Sequence, residues 1–398
     1  MAALHDPARH EALIDAAWDA GEARRAIEAI VADLRREASA EGSWLTHPRD
    51  ELPPDAPPYR NLYLGAAGVI LGLDHLVRIG AAPGGPSFAE HLPGHLDANR
   101  RMFAELGFQT RSYLMGDAGI RLIEWRTMGS SEAADALAEV AAANVDDPAL
   151  ELMWGALGAM LACLAMHRWT GEPRWADLYR QGVAGLERAR AADAPEGGVA
   201  WVQNLYGAKR TFLGLAHGFA GVAFALIAGR ELIEPEVWRR WSKALARSLE
   251  ANAVRDGAAI NWAPDVPATA PPDIVQICHG APGMIYGLAG LDQPIDELLI
   301  GGGELVWRAG PLVKGANFCH GTDGNGYAFL KLFERTGDEM WLARARAFAM
   351  HAIAQSEAEA RAVGRRRATL WTGDPGLAAY LADCIDGRAR FPSLEFEA

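Results

Sequence analysis

Cysteine is scarce in this chain: four residues, at positions 163, 278, 319 and 384, among 398. So few, so widely scattered, exclude a disulfide framework, and reduced thiols in a cytoplasmic setting are expected. A basic excess is missing as well. Lys and Arg number 38 against 51 Asp and Glu, a net charge of -13, which leaves no electrostatic footprint for nucleic acid or an anionic membrane surface. No stretch reaches the ~18 uninterrupted apolar residues of a membrane-spanning helix. The opening Met1-Ala-Ala-Leu-His-Asp-Pro lacks the charged region and apolar run of a secretory signal. What is present is a globular composition, 50% apolar and 22% charged with 13 Trp, and small molecules or peptides are the expected ligands.

One device recurs along the chain. Gly-x-x-Gly followed by an apolar run has its first glycine at Gly65, Gly116, Gly155, Gly218, Gly280, Gly321 and Gly373. The runs that follow, such as Val222-Ala-Phe-Ala-Leu-Ile, are apolar nearly all round and predict helices buried on most sides. Between them, the stretches 175–188, 237–249 and 340–353 carry apolar residues at three- and four-residue spacing with charges in between. That is the pattern of helices exposing one face. The alternation predicts an all-α, double-layered α/α toroid of seven inner and seven outer helices, with an open solenoid as the competing geometry. A single domain over 1–398 is expected, with a helical lead-in at 1–60 and seven helical-hairpin repeats over 61–390. The glycine pairs suit tight entry into a crowded inner helix, where a Cβ has no room.

Chemistry concentrates in repeats four to six. His217 precedes Gly218, Cys278-His279 precedes Gly280, and Cys319-His320 precedes Gly321, so these side chains are expected on one rim, each beside a helix N-terminus. Such a position favours thiolate over thiol. Thiols with imidazoles suit zinc: Cys278, Cys319 and one imidazole leave a fourth position open, as in catalytic sites, whereas adding both His279 and His320 closes the shell. Cys163 and Cys384 lie within apolar runs and read as small buried hydrophobes. His217 is a candidate acid or base through its equivalence to the ligand positions of the next two repeats. Glu151, four residues before Gly155, is a candidate carboxylate on the same rim.

The segments Gly116-Asp-Ala-Gly119, Glu151-Leu-Met-Trp-Gly155, Leu215-Ala-His-Gly-Phe-Ala-Gly221, Cys278-His-Gly-Ala-Pro-Gly283, Cys319-His-Gly-Thr-Asp-Gly324 and Ala389-Arg-Phe-Pro392 carry a resemblance. Over almost its whole length the chain resembles the LanC-like (lanthionine synthetase C-like) proteins. It is more similar to their stand-alone, glutathione-binding branch than to dedicated lantibiotic cyclases. The resemblance implies one Zn2+ per chain held by Cys278, Cys319 and His320, with His279 outside the shell. It implies an enzyme that adds a thiol, glutathione or a peptide cysteine, to dehydroalanine or dehydrobutyrine and forms a thioether. His217 then matches the acid that protonates the enolate, and Glu151 the family's acidic position, which orients His217 or handles a proton itself. Lys314 matches a glutathione contact, and within Arg365-Arg366-Arg367 the residue favoured for a further contact is Arg367. Ile277 departs from a Trp often found at its position. No dehydratase segment accompanies the repeats, so the implied partners are a peptide or protein already bearing dehydroamino acids and a separate dehydratase or kinase. Two readings compete: a zinc-containing module that binds glutathione or peptide without turnover, and a toroid glycoside hydrolase using Glu151 with Asp117 or Asp323.

Overall fold

The computed structural model describes residues 3–50, 57–108, 110–192 and 194–396. In chain order, α1 (Ala20–Glu37) is followed by α2 (Ala66–Arg78), α3 (Leu92–Glu105), α4 (Asp117–Met128), α5 (Ser131–Ala143), α6 (Ala156–Thr170) and α7 (Pro173–Arg188). The second half holds α8 (Phe219–Ala228), α9 (Pro235–Ala251), α10 (Ala281–Leu288), α11 (Asp296–Ala309), α12 (Thr322–Thr336), α13 (Glu339–Val363) and α14 (Asp374–Asp386). Every even-numbered helix takes the first glycine of a Gly-x-x-Gly as its N-cap. Burial separates two layers. In α8 the whole run from Phe219 to Ile227 is buried, whereas α9 buries Trp238, Trp241, Ser242, Leu245, Ser248 and Leu249, one stripe at helical spacing.

The ring closes. Each inner helix packs on the next, from α2 through α4, α6, α8, α10 and α12 to α14, and α14 packs back on α2. The open solenoid is thereby excluded. Helix α1 lies against α13 and α14 and fills the seventh outer place, so the N-terminal lead-in is part of the ring. No described helix is long and apolar enough to cross a membrane.

The second glycine of each pair has a steric cause. A Cβ would stand 2.2 Å from the Leu62 carbonyl oxygen at Gly68, 2.1 Å from that of Tyr113 at Gly119, and 1.9 Å from that of Phe318 at Gly324. That carbonyl always belongs to the residue three before the first glycine: Leu62, Tyr113, Leu152, Leu215, Ile277, Phe318 or Leu370, all fully buried. The loop thus folds beneath the helix it starts, with an apolar plug at each of seven places. Beyond α14 the tail enters the ring. Phe391 stacks on Phe318 with centroids 3.7 Å apart, while Ser393 accepts from Trp371 Nε1 through its hydroxyl and from the Tyr113 hydroxyl through its carbonyl. A buried aromatic floor of Phe318, Trp371 and Phe391 lies under the loop that carries Cys319.

Among the described residues, five short strands interrupt the helical scheme: β1 (Gln203–Leu205), β2 (Ala208–Phe212), β3 (Ala253–Asp256), β4 (Ala259–Trp262) and β5 (Asp265–Val266). All pairings are antiparallel, with Gln203 opposite Arg210, Thr211 opposite Val266, and Ala253 opposite Trp262. They occupy the long links into α8 and α10 and brace the rim. Asn261 on β4 accepts from the Ala281 amide at 2.8 Å, where α10 begins, and donates to the Pro272 carbonyl at 2.7 Å.

Candidate functional site

Backbone bonds stitch neighbouring rim loops together at the residue two before the first glycine. Tyr63 donates to Leu114 (2.9 Å), Cys278 to Cys319 (3.2 Å), Cys319 to Trp371 (2.9 Å) and Trp371 to Tyr63 (3.3 Å). In several loops the side chain of the residue four before the glycine caps the turn. Asn61 accepts from the Leu64 amide and Asn317 from the His320 amide. In repeat four this place is Gly214, where a Cβ would meet the Cys278 carbonyl oxygen at 1.8 Å. The belt and the caps hold the backbone of the loops they join, the two cysteine loops among them.

This frame brings Cys278 and Cys319 together. Both are buried and free of disulfides, the Cys278 amide donates to the Cys319 carbonyl at 3.2 Å, and the Cys278 thiol and the His320 ring both act on the Cys319 thiol. Tyr63 donates its hydroxyl to Cys319 Sγ at 2.9 Å, and Gln276 donates its amide to Cys278 Sγ at 3.0 Å. The Cys278 thiol holds Cys319 well below the usual thiol range against the effect of burial, with His320 and Tyr63 acting in the same direction. Cys278 moves the other way, raised by Cys319 and by burial. Among the described residues no three His, Cys, Asp or Glu side chains form a ready metal cage. The donors meet pairwise at the Cys319 sulfur instead. As a set, two soft thiols and an imidazole are nevertheless what zinc takes, and a sulfur with three donors turned to it already attracts positive charge. On donor chemistry the residues fit the ion.

Next to the thiols stands an acid–base pair. Glu151 is fully buried. Its Oε2 accepts from the Met153 amide at 3.0 Å and from His217 Nδ1 at 2.8 Å, while Oε1 accepts from the amides of Trp154 and Gly155. With Nδ1 committed, Nε2 is the His217 nitrogen left for a substrate. Burial works against charge on this ring, but the Glu151 bond and charge and the negative field of Cys319 outweigh it, so the net shift is upward. His279 behaves oppositely. Burial, aided by the charge of His217, lowers it to about 4. Its Nδ1 has no partner, and its ring lies 6.3 Å from His217 and 6.4 Å from Phe212. His279 thus packs beside His217 and Phe212, while His320 acts on the Cys319 thiol.

The two cations expected to meet an anionic substrate differ. Lys314 is exposed, and its charge acts on Cys278. Arg367 is buried, bonded through Nε to Asp50 at 2.7 Å and through its terminal nitrogen to the Arg49 carbonyl. Arg366 pairs with Asp33 and Arg365 with the Thr46 carbonyl. Sequence reasoning missed Tyr63 and Gln276. Aligning the seven loops on their first glycine finds the former, because Tyr63 stands in the register of the cysteines.

The model of the lanthionine synthetase C-like protein family matches residues 58–396. A zebrafish (Danio rerio) protein named glutathione S-transferase LANCL1 is 27% identical over 368 residues, 84% of each chain. The LanC-like protein GCL1 of Arabidopsis thaliana is 29% identical over 209 residues, 50% of this chain and 46% of its own. Among solved structures, nisin cyclase aligns with a TM-score of 0.55 at 16% identity, covering 94% of this chain and 97% of that one, a likeness of fold alone.

Proposed function

The chain belongs to the lanthionine synthetase C-like family, and from that premise we propose that it joins a thiol to the dehydroalanine or dehydrobutyrine residue of a polypeptide, forming a thioether with the help of one Zn2+. The observation that carries this reading is the meeting of Cys278, Cys319 and His320 on the rim that also bears the Glu151–His217 pair. The zebrafish relative's name agrees with glutathione as the thiol, and a peptide cysteine would react in the same way. Four free cysteines accord with a reducing, cytoplasmic setting.

Held by Cys278, Cys319 and His320, zinc would supply the Lewis acidity that keeps a substrate thiol deprotonated at neutral pH. The sulfur forms a bond to the β-carbon of the dehydro residue while the double-bond electron pair moves toward the adjacent carbonyl. The resulting enolate takes a proton at Cα. Across the whole reaction S–H adds to C=C, and nothing is oxidised or reduced. His217 is the proton donor, acting through Nε2 while Glu151 holds Nδ1 and favours the imidazolium. The aromatic floor around Phe318 and Phe391 excludes water and strengthens these charge interactions. Lys314 offers a charge to a glutathione carboxylate, whereas Arg367, engaged with Asp50, braces the loop from beneath.

The test is metal analysis of the purified protein and of Cys319→Ala, each then incubated with glutathione and a dehydroalanine peptide and analysed by mass spectrometry. Zinc and the thioether adduct are expected in the first and absent from the second. An adduct formed at full rate by zinc-free protein overturns the reading.

A further inference from the structure

Beside the Glu151 loop the rim opens into a cleft of about 370 Å³, bounded by the loops that start α4 and α6 and by the β1–β2 hairpin. Its lips are aromatic. Phe108 is 57% exposed and Tyr206 is 74% exposed, and the Tyr206 hydroxyl is fixed by Trp154 Nε1 at 2.8 Å. Large apolar side chains so exposed and so close together mark an interaction site more often than scattered single ones do. Tyr206 adopts φ 52, the left-handed region, at the turn of its hairpin. That is an uncommon conformation for an aromatic residue, and it accompanies a ring set at the mouth of the cleft.

The floor differs from the lips. Thr110 and Ser112 line it at 9% and 2% exposure with their hydroxyl oxygens packed away from solvent, while Arg111, Asp147 and Asn204 bring polar groups to its wall. Apolar walls with a few placed polar groups describe a ligand site, and the volume suits one or two residues of a chain. The inner end of the cleft is the Glu151 loop itself: Trp154 lines the cleft and donates its amide to the carboxylate that holds His217. Lys314 and the thiols belong to repeats five and six, well round the ring from this cleft, which lies at repeats two and three.

We propose that this cleft seats the acceptor polypeptide, holding the large apolar or aromatic side chain next to the dehydro residue between Phe108 and Tyr206. The assignment rests on the reading above that the acceptor is a polypeptide. It gives the acceptor and the thiol separate entries onto the rim, the acceptor arriving beside the proton donor.

Two peptides that differ only in the residue before dehydroalanine, Phe or Gly, test it with glutathione as co-substrate in wild type, Phe108→Ala and Tyr206→Ala. Both substitutions trim exposed side chains, so the fold is retained. Wild type is expected to favour the Phe peptide, and each variant to raise that peptide's KM about 10-fold without changing the KM for glutathione. Equal KM values for the two peptides in wild type, unchanged values in both variants, or a rise in the glutathione KM instead would overturn the assignment. Calorimetric binding of the same peptides separates the two claims. If no adduct forms at all but the Phe peptide binds wild type and is lost from both variants, the reaction proposed above falls and the cleft stands; equal binding to all three proteins sinks the cleft.

Discussion

Repeats one, two, three and seven build the same rim loop as repeats four, five and six, yet the candidate cysteines and histidines all fall in the second group, and the first lends only Glu151, from repeat three. Two and one residues before the first glycine, the first group displays Tyr63-Leu64, Leu114-Met115, Met153-Trp154 and Trp371-Thr372, the second Ala216-His217, Cys278-His279 and Cys319-His320. The backbone scarcely registers the change: Gly65 and Gly321 cap their helices at φ -125 and φ -123. A scaffold that presents seven equivalent places leaves function to a few side chains, while the buried residue three before each glycine keeps every repeat packed. The cysteines make the same point. Burial pushes Cys163 up to about 12, and Cys384 also moves upward for the same reason, whereas Cys319, just as buried, is drawn down by the donors around it.

The sharpest way to break this comparison is to exchange cysteines across it. Cys319→Ala should abolish thioether formation and zinc binding while leaving the helical spectrum intact. Cys163→Ala should leave the rate and the zinc content unchanged and cost about 1 kcal/mol of stability for the lost packing. An active, zinc-loaded Cys319→Ala would mean that the rim's chemistry lies elsewhere.

Within the active half, His217→Gln should lower the rate by about 10²–10⁴-fold with zinc content unchanged, because only the proton donor is removed. Glu151→Gln probes the same proton through pH. In wild type the His217 pKa lies above its ordinary value, so the donor is protonated at lower pH and is lost as pH rises through that raised value. Removing the carboxylate leaves burial as the main influence and moves this alkaline limb toward acid. The pair's contribution to stability has the same sign: complete below ~6.5 and lost as pH rises through the folded-state value. A pH–rate profile that stays in place in Glu151→Gln would show that the carboxylate caps its loop and does nothing for His217.

The inner helices were readable because a helix surrounded by others must be apolar all round, as Val222 to Ile227 is, and the outer ones because a half-exposed helix must alternate. Closure was not readable. It depends on Trp371 meeting Tyr63 and on α14 meeting α2, contacts between the two ends of the chain that no local pattern encodes. The five strands escaped because they run from two to five residues, too short for periodicity to register. Duplicated Cys-His pairs pointed to the thiols, but Tyr63 reads as a core aromatic until it is placed in the cysteine register. Three consecutive arginines look alike in sequence, and only the fold assigns Asp33 to Arg366 and Asp50 to Arg367.

One loop departs from its neighbours inside the active half. Gly280 caps α10 at φ 97, where the other first glycines have negative φ, and a Cβ there would stand 2.0 Å from the Ile274 carbonyl oxygen. Gly280→Ala should therefore cost about 3 kcal/mol or more, combining backbone strain with the clash. Gly337, at φ 70 with nothing within 4 Å, isolates the strain alone, and Gly337→Ala should cost about 1 kcal/mol. Equal midpoints in chemical denaturation would mean that the rim loop yields to the extra carbon, and that repeat five is no more constrained than an exposed turn.

The smallest effect should come from Lys314, which separates the charge of the site from the charge of the surface. Its amine is exposed, but its field reaches the buried Cys278, whereas Lys243 is equally a surface lysine on the outer helix α9. A screened ion pair with a substrate carboxylate contributes about 1 kcal/mol, so Lys314→Ala should raise the KM for glutathione roughly 5- to 10-fold with little change in kcat. Salt should erode the difference, because an exposed pair is screened within about 10 Å at 0.1 M ionic strength. Lys243→Ala should do neither. If Lys314→Ala lowers kcat and leaves KM alone, the lysine acts on the thiols through its field rather than on the substrate's carboxylate, and the rim has no dedicated anion contact at this position.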